Sequence, residues 1–215
     1  MLKIHPFVCN MIQENCYVVS DETREAVIID CGAFYESEKK AIQEYIEQNE
    51  LRPVHLLATH GHIDHNFGNK FVHDTWGLKV EVHASDEKLM NSLPMQAKAI
   101  CGIEMQPSDF SPVGKYLCEE DVVKFGNHQF TLLETPGHSP GSVFFYCKEE
   151  NVAFSGDTLF RNSIGRTDLP GGSMFLIIQS LRMVSQLPDN TKLYPGHGEP
   201  TTIGNEVANN PYIDR

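Results

Sequence analysis

Short stretches in which apolar residues alternate with polar ones, or crowd together between turn residues, begin at the N-terminus. Leu2 to Val8, Cys16 to Val19 and Ala26 to Asp30 carry this strand signature. The period changes over Ser37 to Asn49, where charged residues interleave with apolar ones at helical spacing and predict an exposed helix. The apolar run Val54 to Ala58 predicts a further strand, and Asp64 and His65 open a predicted helix that reaches about Trp76. Lys79 to His83 reads as a short strand and Asp86 to Ile100 as a helix broken near Pro94. The second half repeats the scheme. Asp121 to Phe125, Phe130 to Glu134, Val143 to Cys147, Val152 to Phe154 and Lys192 to Tyr194 predict strands, and Met174 to Leu187 a helix. Gly102 to Tyr116, with Pro107, Pro112 and Gly114, has no clear period and is expected to be a long loop, either walling the functional cleft or simply connecting elements. Two β-rich halves, each followed by helices, predict two sheets packed face to face with helices outside.

Composition bounds the function. A chain of 215 residues, 40% hydrophobic, can bury a substantial core as a single domain spanning residues 1–215. No apolar run approaches the length that crosses a bilayer, and Met1 to Asn10 does not resemble an export signal, so a cytoplasmic location without membrane contact is expected. The six cysteines show neither close pairing nor zinc-finger spacing and are read as reduced and mostly buried. A net charge of −12 with no Lys/Arg stripe argues against nucleic-acid partners. It says less about small anions, because Arg161 and Arg166 can act locally in a cleft; two solvated surface arginines are the alternative.

Candidate chemistry is concentrated in Thr59-His60-Gly61-His62-Ile63-Asp64-His65, which follows the predicted strand ending at Ala58. Three more candidates, His138, Asp157 and His197, each stand just beyond a β-like run, among turn residues. Side chains at strand exits can face one another across the end of a sheet. Imidazoles and carboxylates without cysteine suit zinc first, with iron or manganese as alternatives.

The pattern H-x-H-x-D-H, followed at long range by His138, Asp157 and His197, resembles the metallo-β-lactamase fold superfamily, as do Gly68 and the Gly156-Asp157-Thr158 strand exit. That resemblance implies an α/β, four-layer αβ/βα sandwich of two packed mixed β-sheets with helices on the outer faces. It also implies that His60, His62 and His138 bind one divalent ion, that Asp64, His65 and His197 bind a second, and that Asp157 bridges both. Two ions held about 3.5 to 4 Å apart need anions between them and bring bound water to a pKa near 7. The implied reaction is attack of a metal-bridging hydroxide on a carbonyl carbon, with Asp64 as the catalytic residue that orients it. A thiolate leaves near neutrality without a dedicated acid, which favours thioesters and lactones over lactams.

Asp157 and the segment Gly165-Arg166-Thr167-Asp168 are similar to those of small, single-domain glyoxalase II-like hydrolases, which act on S-lactoylglutathione. The expected substrate is therefore a small acyl thioester, with Arg166 as a substrate-binding candidate. Full-length glyoxalase II has a helical C-terminal domain that helps bind glutathione, whereas only residues 198–215 follow His197 here, so another thiol carrier is open. The same loop also occurs in persulfide dioxygenases, which implies the alternative of a single iron held by His60, His138 and Asp157. Lactonase, β-lactamase, nuclease and non-catalytic scaffold are the lesser readings.

The remaining histidines, His5, His55, His73, His83 and His128, are expected to be structural, and Phe67, Phe71 and Trp76 to be core contacts. By the same resemblance, Asp30 is either a hydrogen-bond support for a metal-binding histidine or a plain turn residue. Asn15 is a further polar candidate near the site, without an assigned mechanism.

Overall fold

The computed structural model describes residues 1–213. Strands β1 (Lys3–Cys9), β2 (Glu14–Ser20), β3 (Glu25–Ile29), β4 (Arg52–Ala58), β5 (Val80–His83) and β6 (Lys115–Leu117) form one sheet in that order. The first three pair antiparallel and β3 to β6 pair parallel. Helices α1 (Glu36–Gln48) and α2 (Asn69–Trp76) supply the crossovers that parallel pairing requires, and the short α3 (Glu87–Met90) and α4 (Leu93–Gln96) follow β5. The second sheet contains β7 (Val122–Phe125), β8 (His128–Glu134), β9 (Val143–Cys147) and β10 (Val152–Gly156). A small hairpin, β11 (Leu159–Phe160) and β12 (Ser163–Ile164), and helix α5 (Met174–Val184) precede its last strands, β13 (Lys192–Pro195) and β14 (Thr201–Thr202), and helix α6 (Ile203–Asn209). Its spatial order is β14-β13-β10-β9-β8-β7, with β10 and β13 parallel.

Alternation along the strands builds the layers. Tyr17, Val19, Val27, Ile29 and Leu57 of the first sheet meet Phe130, Leu132, Phe145 and Phe154 of the second. Their neighbours Val18, Ile28, Leu56, Val80 and Val82 face the other way, onto Ile42 and Ile46 of α1 and Val72 of α2. Phe144, Ala153 and Leu193 likewise carry α5 and α6 through Leu181, Val184 and Ile203. Each sheet is buried on both faces, which gives the four-layer αβ/βα sandwich with helices outside.

Several local expectations change. The helix predicted from Asp64 is a 3-10 turn over Ile63–His65, and α2 begins only at Asn69. The Asn66 amide turns back to donate to the carbonyls of His60 and His62, which ties off the loop before the helix starts. The break predicted near Pro94 falls at Asn91 and Ser92; Pro94 stands in the first turn of α4, where its missing N–H is not needed. The segment predicted as loop over 102–116 contains a 3-10 turn, Pro107–Asp109, and its end is β6, which pairs with β5 and closes the sheet edge. Four cysteines are buried, Cys101 is half-buried and Cys118 is exposed, and all six are free. No helix among the described residues is long and apolar enough to cross a membrane.

Phe154 is wholly buried between the sheets against Tyr17, Phe130 and Tyr194. Phe154→Ala is expected to cost about 3–5 kcal/mol, read as a lower urea midpoint, whereas Val8→Ala should change stability by no more than roughly 0.5 kcal/mol.

Candidate metal centre

All seven predicted residues meet at one edge of the sandwich. His60, His62, Asp64 and His65 follow β4, His138 follows β8, Asp157 follows β10 and His197 follows β13. At β10 the register against β13 shifts between Phe154 and Gly156. Gly156 there takes a φ of 47°, a left-handed turn that lets the chain leave the strand just before Asp157.

The side chains fall into two groups whose candidate ligand atoms lie within 4.8 Å of one another: His60, His62 and His138, then Asp64, His65, Asp157 and His197. In the first, His138 Nε2 is 2.8 Å from His62 Nδ1 and 3.2 Å from His60 Nε2. In the second, Asp64 Oδ2 is 3.2 Å from His197 Nε2, and Asp157 Oδ1 is 3.3 Å from His65 Nε2. Asp157 Oδ2 stands 3.6 Å from both His197 Nε2 and His138 Nε2, so this carboxylate reaches both groups.

The donors fit cations. His65 Nε2 and Asp157 Oδ1 are buried without a hydrogen-bond partner, a condition that costs about 1–3 kcal/mol per group unless something satisfies it. Three imidazole nitrogens converging at hydrogen-bond distance cannot all donate to one another, but all can donate lone pairs to one ion. Burial drives His60 well below its ordinary pKa and, with His138 next in effect, brings His62 down to about 4, so both stay neutral. In the second group burial works against charge, yet His65 is pushed well above its ordinary value by Asp157 and Asp64. Both carboxyls are in turn held low, against burial, chiefly by His65. His197 is raised against burial by its hydrogen bond to Asp64. Positive charge is thus favoured beside Asp64 and Asp157, and a bound cation would supply it.

Other side chains hold the loops. Asp30 accepts from Thr59 N and Thr59 Oγ1 at 2.7 Å each, and its Oδ2 lies 3.1 Å from His65 Nδ1. Its hydrogen bonds fix the strand exit at Thr59, and His65 Nδ1, though near, has no hydrogen-bond partner. Asn15 pins the His197 loop, donating to the carbonyls of Pro195 and Gly198. His138 Nδ1 donates to Arg166 O at 2.8 Å, which leaves Nε2 facing the other imidazoles. That approach needs Gly165, where a Cβ would lie 1.7 Å from Asp157 O.

Asp86 was not singled out from sequence. Wholly buried, it accepts from Gly61 N at 2.7 Å, Ser139 Oγ at 2.7 Å and Gly141 N at 2.6 Å, clamping the His60–His62 loop to the His138 loop. Gln96 adds bonds to Ile63 N and Gly61 O. Glu14 is also wholly buried, 3.9 Å from His65 Nδ1, with neither oxygen hydrogen-bonded, and burial pushes its carboxyl well above the ordinary range. No local pattern marks Asp86 or Glu14, because their partners are distant in sequence. Of the five other histidines, His5 stacks on Tyr45, His55, His83 and His128 pair with Glu81, Glu134 and Asp21, and His73 stands in the last turn of α2 with Nδ1 buried and unpartnered.

A cavity of about 320 Å³ opens over His62, Asp64, His138, Asp157 and His197, rimmed by Ile12, Ile100, Phe160, Arg166 and Leu169. The expected wall from 102–116 is not part of it; Ile100, just before that segment, is. Met105, Phe110 and Val113 instead pack on the outer face of the first sheet. Arg166 reaches the rim, whereas Arg161 pairs with Glu199 and borders a separate hollow. Asp86→Asn removes acceptor capacity where three donors converge, and zinc affinity should fall about 10- to 100-fold while far-ultraviolet circular dichroism is unchanged.

The chain is 37% identical over 206 residues to hydroxyacylglutathione hydrolase GloC of Haemophilus influenzae, covering 94% of this chain and 93% of that one. Among solved structures, BLEG-1 B3 metallo-beta-lactamase superposes with a TM-score of 0.87 at 36% identity, covering 99% of each chain. TTHA1623, solved in a di-iron-bound form, gives 0.86 at 36% identity over 97% of this chain and 100% of that one. ETHE1 from Myxococcus xanthus gives 0.77 at 25% identity over 97% and 83%. The family model of the metallo-beta-lactamase superfamily matches residues 10–197, and the chain belongs to that superfamily.

Proposed function

We propose that the chain, acting as one domain over residues 1–215, is a metal-dependent hydrolase of small acyl thioesters in the manner of glyoxalase II. The observation that carries this reading is Asp157, whose carboxylate lies within 3.6 Å of His138 in one group and of His197 in the other. His60, His62 and His138 would hold one divalent ion and Asp64, His65 and His197 a second, with Asp157 shared; zinc suits these donors, and iron or manganese are the alternatives. Bound there, the ions supply a hydroxide nucleophile and a Lewis acid for the carbonyl oxygen.

The chain's own residues do the rest. Asp64 lines the cavity floor and is the group proposed to orient the attacking water, with His197 holding its Oδ2. His138 is fixed by the Arg166 carbonyl, so the Gly165-Arg166 loop sets an imidazole and also forms the cavity rim. Water adds to the thioester carbonyl, the C–S bond breaks, and the thiol leaves with a pKa near 8.5, which removes the need for a dedicated acid.

Similarity to GloC over nearly the full length of both chains supports thioester hydrolysis, and the di-iron form of TTHA1623 supports a pair of ions. BLEG-1, a metallo-beta-lactamase by name, keeps lactam hydrolysis as a competing reading, and the Gly165-Arg166-Thr167-Asp168 loop keeps the persulfide dioxygenase alternative. The cavity's size fits a small-molecule partner, and a reducing cytoplasm fits six free cysteines.

Protein purified without added metal is expected to carry about two ions per chain, to hydrolyse S-lactoylglutathione and to take up no oxygen with glutathione persulfide. One iron per chain with oxygen uptake would overturn the reading. Asp157→Ala should bring the metal content below two and slow hydrolysis by at least roughly 100-fold; full turnover with both ions retained would contradict the shared-carboxylate arrangement.

A further inference from the structure

Apart from the five candidate ligands, the cavity is bordered by Ile12, Ile100, Phe160, Leu169 and a single cation, Arg166. Arg166 is held along one edge only, Nε donating to Asp168 Oδ1 at 2.7 Å and Nη2 to Asp168 Oδ2 at 2.8 Å. From the apolar lining, and resting on the hydrolase reading above, we infer that the preferred substrate is an aliphatic acyl thioester, its acyl chain seated on Ile12, Ile100, Phe160 and Leu169.

Size points the same way. A volume of about 320 Å³ is at the lower end of ligand cavities, enough for a thioester and a short chain. Ile100 is 41% exposed and Ile12 37% exposed although both are branched aliphatics beside a polar centre. An aliphatic chain lying between them would remove that surface from water, and each methylene buried adds to binding. Hydrolysis then yields the aliphatic acid, with oxygen from water bonded to the acyl carbon, and the free thiol, its sulfur taking the second proton.

The test uses zinc-loaded protein and two sets of probes. Acetyl, butanoyl and hexanoyl thioesters of N-acetylcysteamine are compared with S-lactoylglutathione for kcat/KM. The uncleavable methyl, butyl and hexyl thioethers of N-acetylcysteamine are compared for Kd by calorimetry. Both series are expected to improve about two- to fourfold per methylene, with the hexanoyl thioester ahead of S-lactoylglutathione by at least roughly tenfold, a margin set by the lengthening chain. Ile100→Ser should cut the hexyl-to-methyl affinity ratio several-fold. Flat series, or S-lactoylglutathione as the best thioester, would overturn the apolar-chain inference while leaving thioester hydrolysis intact. Thioethers that bind in the predicted order with no thioester cleaved would overturn the hydrolase reading and keep the apolar subsite.

Discussion

Two aspartates and five histidines lie together at the edge of a sandwich, largely cut off from water, and this concentration of donors is the constraint on which the rest of the site depends. Carboxylates cannot be buried at such separations without compensating positive charge. Asp157 and Asp64 accordingly favour the charged form of His65 against the pull of burial. His60 and His62, by contrast, are driven neutral. The two groups therefore differ electrically: burial keeps His60 and His62 uncharged, whereas the second group sets two carboxylates against imidazoles whose charged form they favour.

Holding such a set together takes structure far from the reacting atoms. The ligand-bearing loops leave four different strands, and three of them are tied by a buried side chain from another part of the chain: Asn15 to the His197 loop, Asp30 to the end of β4, Asp86 across the His60 and His138 loops. Arg166 contributes through its backbone, since its carbonyl orients His138 while its guanidinium is turned to Asp168. The layers behind these loops, with both faces of each sheet buried, give them a stiff base.

Much of this was legible in the sequence because the decisive signals are local. Strand runs ending in turn residues placed the candidates at or just past strand exits, and two β-rich halves, each followed by helices, implied two packed sheets with helices outside. What escaped notice depends on partners distant in sequence. Asp86 lies in an ordinary Ala-Ser-Asp-Glu stretch, and its role exists only where Gly61, Ser139 and Gly141 surround it. Strand β6 is three residues long and mostly polar, so only pairing with β5 reveals it. The helix expected from Asp64 failed for a nearby reason: the Asn66 side chain captures the carbonyls of His60 and His62. Composition could not tell that 102–116 covers the sheet while Ile100 borders the cavity.

The central claim is that these seven side chains hold a pair of ions joined through Asp157. Anomalous diffraction at the zinc edge from crystals of the zinc-loaded protein tests it most directly. Two peaks about 3.5 to 4 Å apart, one among His60, His62 and His138 and the other among Asp64, His65 and His197, with Asp157 touching both, are the predicted result. A single peak at saturating zinc, or peaks away from these residues, would contradict the account.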